Sequence, residues 1–373
     1  MFERIVNIEK HIKPNKVLVL YGARQVGKTT LIQDYLTKNK NSLYKTGDDI
    51  GFSNDFSKCS LNQMKTMIHE NSLLVIDEAQ RIENIGRALK LVVDNISGVK
   101  IIATGSSSFD LANHTGESLT GRKTVCTLYP FSLQEIIINN MTLYDLKESL
   151  ENYMIFGLYP EVYLLETISD KKDKVCELAN SYLLKDILSF DTVKNSRVLL
   201  DLLKLIAFQI GSEVSTTELA ATLKIDNKTV SRYLDLLEKS FILFRLNGFS
   251  RNLRKEVSKM SKYYFYDLGI RNAVISNFND FSTRNDTGQL WENFMIVERL
   301  KKNSYLKKPV NYYFWRTYEQ HEIDLIEECD GMLNGYEFKY SQRKIKPPAD
   351  WLKTYDNATY TIIDRDNFDG FAL

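Results

Sequence analysis

The apolar residues of this chain change their rhythm twice, and each change marks a different kind of architecture. In the first third, short unbroken apolar runs alternate with stretches whose apolar residues recur every three to four positions. That is the pattern of buried parallel strands connected by amphipathic helices. Val17–Tyr21 reads as a strand and 29–38 as the helix after it. Runs at 73–76 and 99–104 read as further strands, each reached through a helical stretch. From about 129 the strand signals fade. Helices are expected at 130–140 and Leu143–Phe156, followed by the turn Gly157-Leu158-Tyr159-Pro160. A helical region over 173–208 comes next, and 215–246 then reads helix, short turn, helix, apolar strand. Beyond 285, strand-like runs at 310–315, 323–327 and 335–340 sit behind a helix at 289–301. The chain is therefore expected to be α/β. A parallel sheet with helices on both faces spans 1–160, a helical domain 161–284 and a small α/β domain 285–373.

Composition narrows the function classes. At 373 residues the chain exceeds one typical core. A formal net charge of +1 excludes a whole-molecule basic coat, so any nucleic-acid contact must come from local patches. Cys59, Cys126, Cys176 and Cys329 lie far apart, with neither zinc-knuckle spacing nor a disulfide framework. Reduced cysteines, no signal-peptide pattern and no 18-residue apolar window lead to the expectation of a cytoplasmic protein without a membrane partner.

Gly22, Ala23, Arg24, Gln25, Val26, Gly27, Lys28 and Thr29 form GxxxxGK[ST] between a strand and a helix, with Thr30 next. Such a loop curls its N–H groups toward phosphates at the positive end of the following helix. Lys28 is expected to reach the β- and γ-phosphates of ATP, and the Thr29 hydroxyl to coordinate Mg²⁺. The apolar run at 73–76 ends in Asp77 and Glu78, a Walker B pattern. Asp77 would hold Mg²⁺ through water, and Glu78 would act as general base toward the attacking water. The 99–104 strand ends in Thr104, Gly105 and Ser106. Thr104 or Ser106 is expected to aim a hydroxyl at the γ-phosphate, with a plain strand-to-loop turn as the alternative. Arg122 is a candidate arginine finger acting on a neighbouring subunit of a homo-oligomer, or else a surface arginine.

These segments, with Asp77-Glu78-Ala79-Gln80 and Thr104-Gly105-Ser106-Ser107, resemble a family of prokaryotic AAA-type ATPases. Gly121-Arg122, Tyr129-Pro130-Phe131-Ser132 and Gly157-Leu158-Tyr159-Pro160 are similar to its pattern too. The resemblance covers essentially the whole chain. It implies a P-loop ATPase, then a helical and winged-helix region, then a domain related to PD-(D/E)XK nucleases.

The residues carry their own version of the last two parts. Ser215-Thr216-Thr217-Glu218 has capping-box spacing and opens a short helix. A second helix over 228–239 would turn Lys228, Ser231, Arg232 and Asp235 outward. That is the winged-helix order, serving either to read DNA or to pack against protein. Arg251, Arg254, Lys255, Lys259 and Lys262 would extend a basic surface if they converge. Further on, Asp324 and then Glu337-Phe338-Lys339 lie on successive strands, with Glu337 and Lys339 on one face. Asp324 and Glu337 would share Mg²⁺ or Mn²⁺, Glu292 on the preceding helix would complete the metal shell, and Lys339 would orient the attacking water. A charged strand edge is the alternative. Gln342 is a further polar contact or a surface residue, and His11, His69, His114 and His321 have no partner at metal spacing in the sequence. Two functions are expected from these parts. One is an ATP-driven nuclease acting on DNA or RNA. The other is a non-nucleolytic switch that docks DNA or a protein through the winged helix and tail.

Overall fold

The computed structural model describes residues 2–69, 71–105, 119–182, 195–250, 261–317, 319, 321–341 and 346–373. It comprises two compact units: Met1–Tyr129 with Lys239–Phe241, and Pro130–Glu238 with Ile242–Leu373.

The first unit is built on five parallel strands, β1 (Val17–Tyr21), β2 (Ser42–Thr46), β3 (Leu73–Asp77), β4 (Lys100–Gly105) and β5 (Lys123–Thr127), in the order β2-β3-β4-β1-β5. Every residue of β1 and β3 is buried, as expected of central strands covered on both faces. Helices at Ile50–Ser57, Leu61–Ile68 and Ile85–Asn95 contribute Phe56, Met64, Ile68, Leu89 and Val92 to the same apolar core. The carboxyl ends of β1, β3 and β4 lie side by side, where open α/β sheets hold ligands. Thus the run expected at 99–104 forms a strand, over Lys100–Gly105, beside the one ending in Asp77.

The second unit is organised on a mixed seven-stranded sheet. Its strands are β6 (Glu213–Val214), β7 (Leu243–Gly248), β8 (Ser261–Phe265), β9 (Asn311–Arg316), β10 (Glu322–Cys329), β11 (Met332–Phe338) and β12 (Ala358–Ile363), ordered β12-β11-β10-β9-β7-β8-β6. Helices Thr216–Leu223 and Asn227–Lys239 lie between β6 and β7 in the chain, and β6 and β7 both pair antiparallel with β8. Ser215 accepts from the Glu218 N–H, which is half of the expected capping box. Both halves are present instead at Ser132 and Glu135, which open the helix Leu133–Ile138.

The packing divides the chain differently from the sequence expectation. Residues 130–160 belong to the second unit, for identifiable reasons. The buried Lys301 ammonium donates to the Phe131 carbonyl at 2.9 Å, and Glu298 accepts from the Leu133 N–H at 2.7 Å. The Asn272 amide caps the helix Leu143–Phe156 by donating to the Met154 and Ile155 carbonyls. No break falls at 285 either, because β7 pairs with β9 in parallel at Asn247↔Tyr313 and Gly248↔Phe314.

The turn at Gly157-Leu158-Tyr159-Pro160 owes its shape to Asp267. This buried carboxylate accepts from the Leu158 N–H at 2.7 Å and from the Ile270 N–H at 3.2 Å, one on each oxygen. An asparagine there has a single acceptor, so its amide NH₂ must face one of those N–H groups. Asp267→Asn is expected to destabilise this unit by about 1–3 kcal/mol, seen as a lower urea midpoint at unchanged slope. An unchanged midpoint would show that the turn does not depend on this carboxylate.

Candidate functional site

The loop after β1 carries the predicted phosphate site. Gly22 has φ +152°, and a Cβ there would lie 2.1 Å from the Leu128 carbonyl oxygen, so no side chain fits. Gly27 caps the helix Lys28–Thr37 in the left-handed region. Lys28 is buried, and its ammonium bonds the Gly22 and Ala23 carbonyls at 2.8 Å each. Ala23 and Val26 are buried beneath the loop, Arg24 is half-buried, and Gln25, Thr29 and Thr30 face outward. Arg4 secures the loop from below by donating to the Val26 and Tyr129 carbonyls at 2.7 Å each.

The β3 carboxylates meet this loop. Asp77 accepts from the Thr29 hydroxyl at 2.8 Å and the Tyr44 hydroxyl at 2.9 Å on one oxygen. Its other oxygen accepts from the Thr104 hydroxyl and, at 3.2 Å, the Glu78 N–H. Thr104, one of the two hydroxyls offered for the γ-phosphate, is fully buried; it donates to Asp77 and accepts from the Glu78 N–H at 3.0 Å. Ser106 lies outside the described residues. Burial and the Asp77 charge push the Tyr44 phenol up to about 12, so it remains a donor. Glu78 adopts φ +49°, an uncommon conformation for a non-glycine residue, and Gln80 donates to its carboxylate at 2.6 Å. Gly47 makes that bend feasible: a Cβ there would lie 2.3 Å from the Glu78 carbonyl oxygen. Arg122 stands apart. It precedes β5 at the sheet's opposite end, paired with Asp94 at 2.6 Å.

The second constellation lies wholly in the second unit. Asp324 on β10 accepts from the Phe338 N–H at 2.9 Å, which ties it to β11 and its Glu337. Lys339 donates to Glu337 Oε1 at 2.7 Å, while Glu337 Oε2 is buried with no hydrogen-bond partner. Burial, with the charge of Asp324, raises the Glu337 pKa, and burial raises that of Asp324. Glu292 projects from the helix Thr287–Tyr305 and accepts from the Tyr264 hydroxyl at 2.6 Å. Burial and the neighbouring Asp324 push it up to about 8.

Sequence reasoning misplaced one member. Lys262, expected on a basic outer surface, is buried in this acidic cluster, bonded to Glu322 and 3.7 Å from Glu292. Period-two alternation along β8 sets Lys262 beside Tyr264, facing the same carboxylates. Arg251, Arg254, Lys255, Lys259, His114 and Gln342 lie outside the described residues. Lys228, Ser231, Arg232 and Asp235 are exposed, as expected. Among the described residues, the one set of three ligand-bearing side chains gathered within 4.8 Å is Glu319, His321 and Asp350. His321 therefore does have partners in space, and Glu292, Asp324 and Glu337 are more loosely spaced. All four cysteines are free of disulfides, and no helix among the described residues is long and apolar enough to cross a membrane.

The loop geometry, the buried Lys28 and the Thr29–Asp77 contact are those of a P-loop nucleotide site. Residues 14–137 match the AAA domain model. This region is thus similar to AAA-type P-loop domains. Residues 147–280 and 287–361 match two domains of unknown function, DUF8612 and DUF4143. An uncharacterized protein of Methanocaldococcus jannaschii is 25% identical over 345 residues, covering 87% of this chain and 75% of its own. One from Mycobacterium tuberculosis is 25% identical over 327 residues, covering 87% and 70%. A crystal structure of a Vibrio cholerae protein aligns over 94% of this chain at 11% identity, with a TM-score of 0.16.

Proposed function

We propose that the protein hydrolyses ATP with Mg²⁺ and uses its nucleotide state to control a metal-dependent nuclease centre at Asp324, Glu337 and Lys339. In the first unit, Lys28 would bind the β- and γ-phosphates, and Glu78 would accept the proton of the attacking water. Mg²⁺ at the Thr29 hydroxyl, and through water at Asp77, would neutralise phosphate charge. Gly47 supports Glu78, so Gly47→Ala is expected to slow ATP turnover by about 10²-fold with little change in nucleotide affinity. Equal losses in binding and turnover would deny Gly47 this positioning part. Arg122, a strand length from the loop, would act only on the nucleotide of a neighbouring copy, in a homo-oligomer. Cysteine usage fits a cytoplasmic setting.

The observation that carries the nuclease reading is the buried, unpartnered Glu337 Oε2 beside Asp324 and Lys339. A buried carboxylate oxygen without a donor is costly unless a cation completes it. Hard oxygen ligands suit Mg²⁺ or Mn²⁺, which would polarise a scissile phosphate, while Lys339 would orient water toward it. Glu292, whose Oε1 accepts from Tyr264, would complete the metal shell through its other oxygen. Coupling has a covalent route: Glu298 and Lys301, which grip 131–133 just past β5, share one helix with Glu292.

The alternative is a non-nucleolytic switch docking DNA or a protein through the winged-helix candidate at 215–246 and the C-terminal domain. The loose spacing of the three carboxylates around a buried lysine favours it. Purified protein incubated with Mg²⁺ or Mn²⁺ on single-stranded DNA, duplex DNA and RNA discriminates the two. Nicking of one substrate supports the nuclease; intact substrates with and without ATP support the switch.

A further inference from the structure

Lys262 is the least expected group in the acidic cluster. Its side chain is 3% exposed, it bonds Glu322, it lies 3.7 Å from Glu292 Oε1, and it sits 5.3 Å above the Phe314 ring. Its ammonium is thus held among carboxylates at ion-pair distance. Four carboxylates, Glu292, Glu322, Asp324 and Glu337, face two ammonium groups, Lys262 and Lys339. Lys339 bonds Glu337 and Arg316 lies 3.9 Å from Glu322 at the cluster's edge, while the buried Lys262 bonds Glu322 and lies 3.7 Å from Glu292.

A small divalent ion needs several oxygens at roughly 2.0–2.2 Å from one centre. An ammonium among the same oxygens competes for that space, and two cations about 4 Å apart repel strongly where water is excluded. We propose that the Lys262 ammonium is the resident cation of Glu292, Glu322 and Asp324, limiting this cluster to a single divalent ion, held by Asp324 and Glu337. Lys262 is a positioning residue that sets metal stoichiometry. The strand carrying it lies outside the 287–361 segment, so that count is fixed by β8 and not by the helix and strands bearing the carboxylates.

The proposal deepens the nuclease reading, and the experiment separates the two. Mn²⁺ binding to the nucleotide-free full-length protein is titrated by electron paramagnetic resonance for wild type, Lys262→Met, Lys262→Arg and Asp324→Ala. Any ion at the ATP site is common to all four, so only the difference is read. Lys262→Met is expected to bind one Mn²⁺ more than wild type, and Lys262→Arg the same number as wild type. Equal stoichiometry in wild type and Lys262→Met overturns the proposal. Equal counts in wild type and Asp324→Ala would instead overturn the nuclease reading and, with it, the single ion at Asp324 and Glu337. Removing one partner of a buried ion pair is destabilising, so a Lys262→Met protein that does not fold without metal is read by a second measurement. Thermal unfolding with and without Mn²⁺ then replaces the count, because binding only the folded state raises Tm. A Mn²⁺-dependent rise larger than that of wild type supports the proposal; a variant that Mn²⁺ does not restore overturns it.

Discussion

Asp324→Ala is expected to abolish metal-dependent strand cleavage while ATP hydrolysis by the same preparation continues at the wild-type rate. Asp324 is buried and fixed by the Phe338 N–H, so its carboxylate has a defined orientation beside Glu337. A metal that stabilises several kcal/mol of transition-state charge is worth on the order of 10³-fold or more in rate, and loss of its ligand forfeits that. Asp324→Asn keeps the volume and an acceptor for Phe338, and is expected to lose cleavage equally. It separates lost chemistry from lost folding. Cleavage that survives both substitutions would remove the nuclease centre from this site.

Glu78→Gln is expected to lower ATP turnover by about 10²–10⁴-fold with nucleotide still bound, since the amide cannot accept the water's proton. The Gln80 donor still finds an oxygen on the new side chain, so the local geometry survives. Lys28→Ala acts one step earlier. It removes a buried ammonium that a phosphate would otherwise meet, a charge-assisted contact of roughly 1.5–3 kcal/mol, or about 10–100-fold in affinity. Equilibrium binding of a fluorescent nucleotide and single-turnover hydrolysis distinguish the pair. Turnover unaffected by either change would sink the assignment of the ATP site.

What the sequence made legible follows from how local each signal is. Strands buried on both faces read as unbroken apolar runs, so β1, β3 and β4 were visible together with their terminal Asp77 and Thr104. The edge strand β2 is only half-buried along Ser-Leu-Tyr-Lys-Thr, and its mixed pattern hid both the strand and Tyr44. The short loop motifs surrendered residue types but not hydrogen-bond directions. Thr104 was found, yet its hydroxyl turns to Asp77 because the left-handed bend at Glu78 brings a backbone N–H to it. Lys262 was misjudged for a clearer reason. A run of lysines and arginines looks like a surface until long-range pairing selects one of them for the interior. Here the partners are Glu292 and Glu322, 30 and 60 residues later in the chain.

The pairing of β7 with β9 carries a consequence for inheritance. A fragment starting at 285 would hold Asp324, Glu337 and Lys339 but leave behind β8, with its lysine and tyrosine. It would also bare one edge of β9, whose unpaired N–H and C=O groups would recruit strands from other chains. Recombination therefore cannot transplant the last third of the protein alone without opening that sheet. The acidic cluster travels as a heritable module only with the helices and strands that begin near 130.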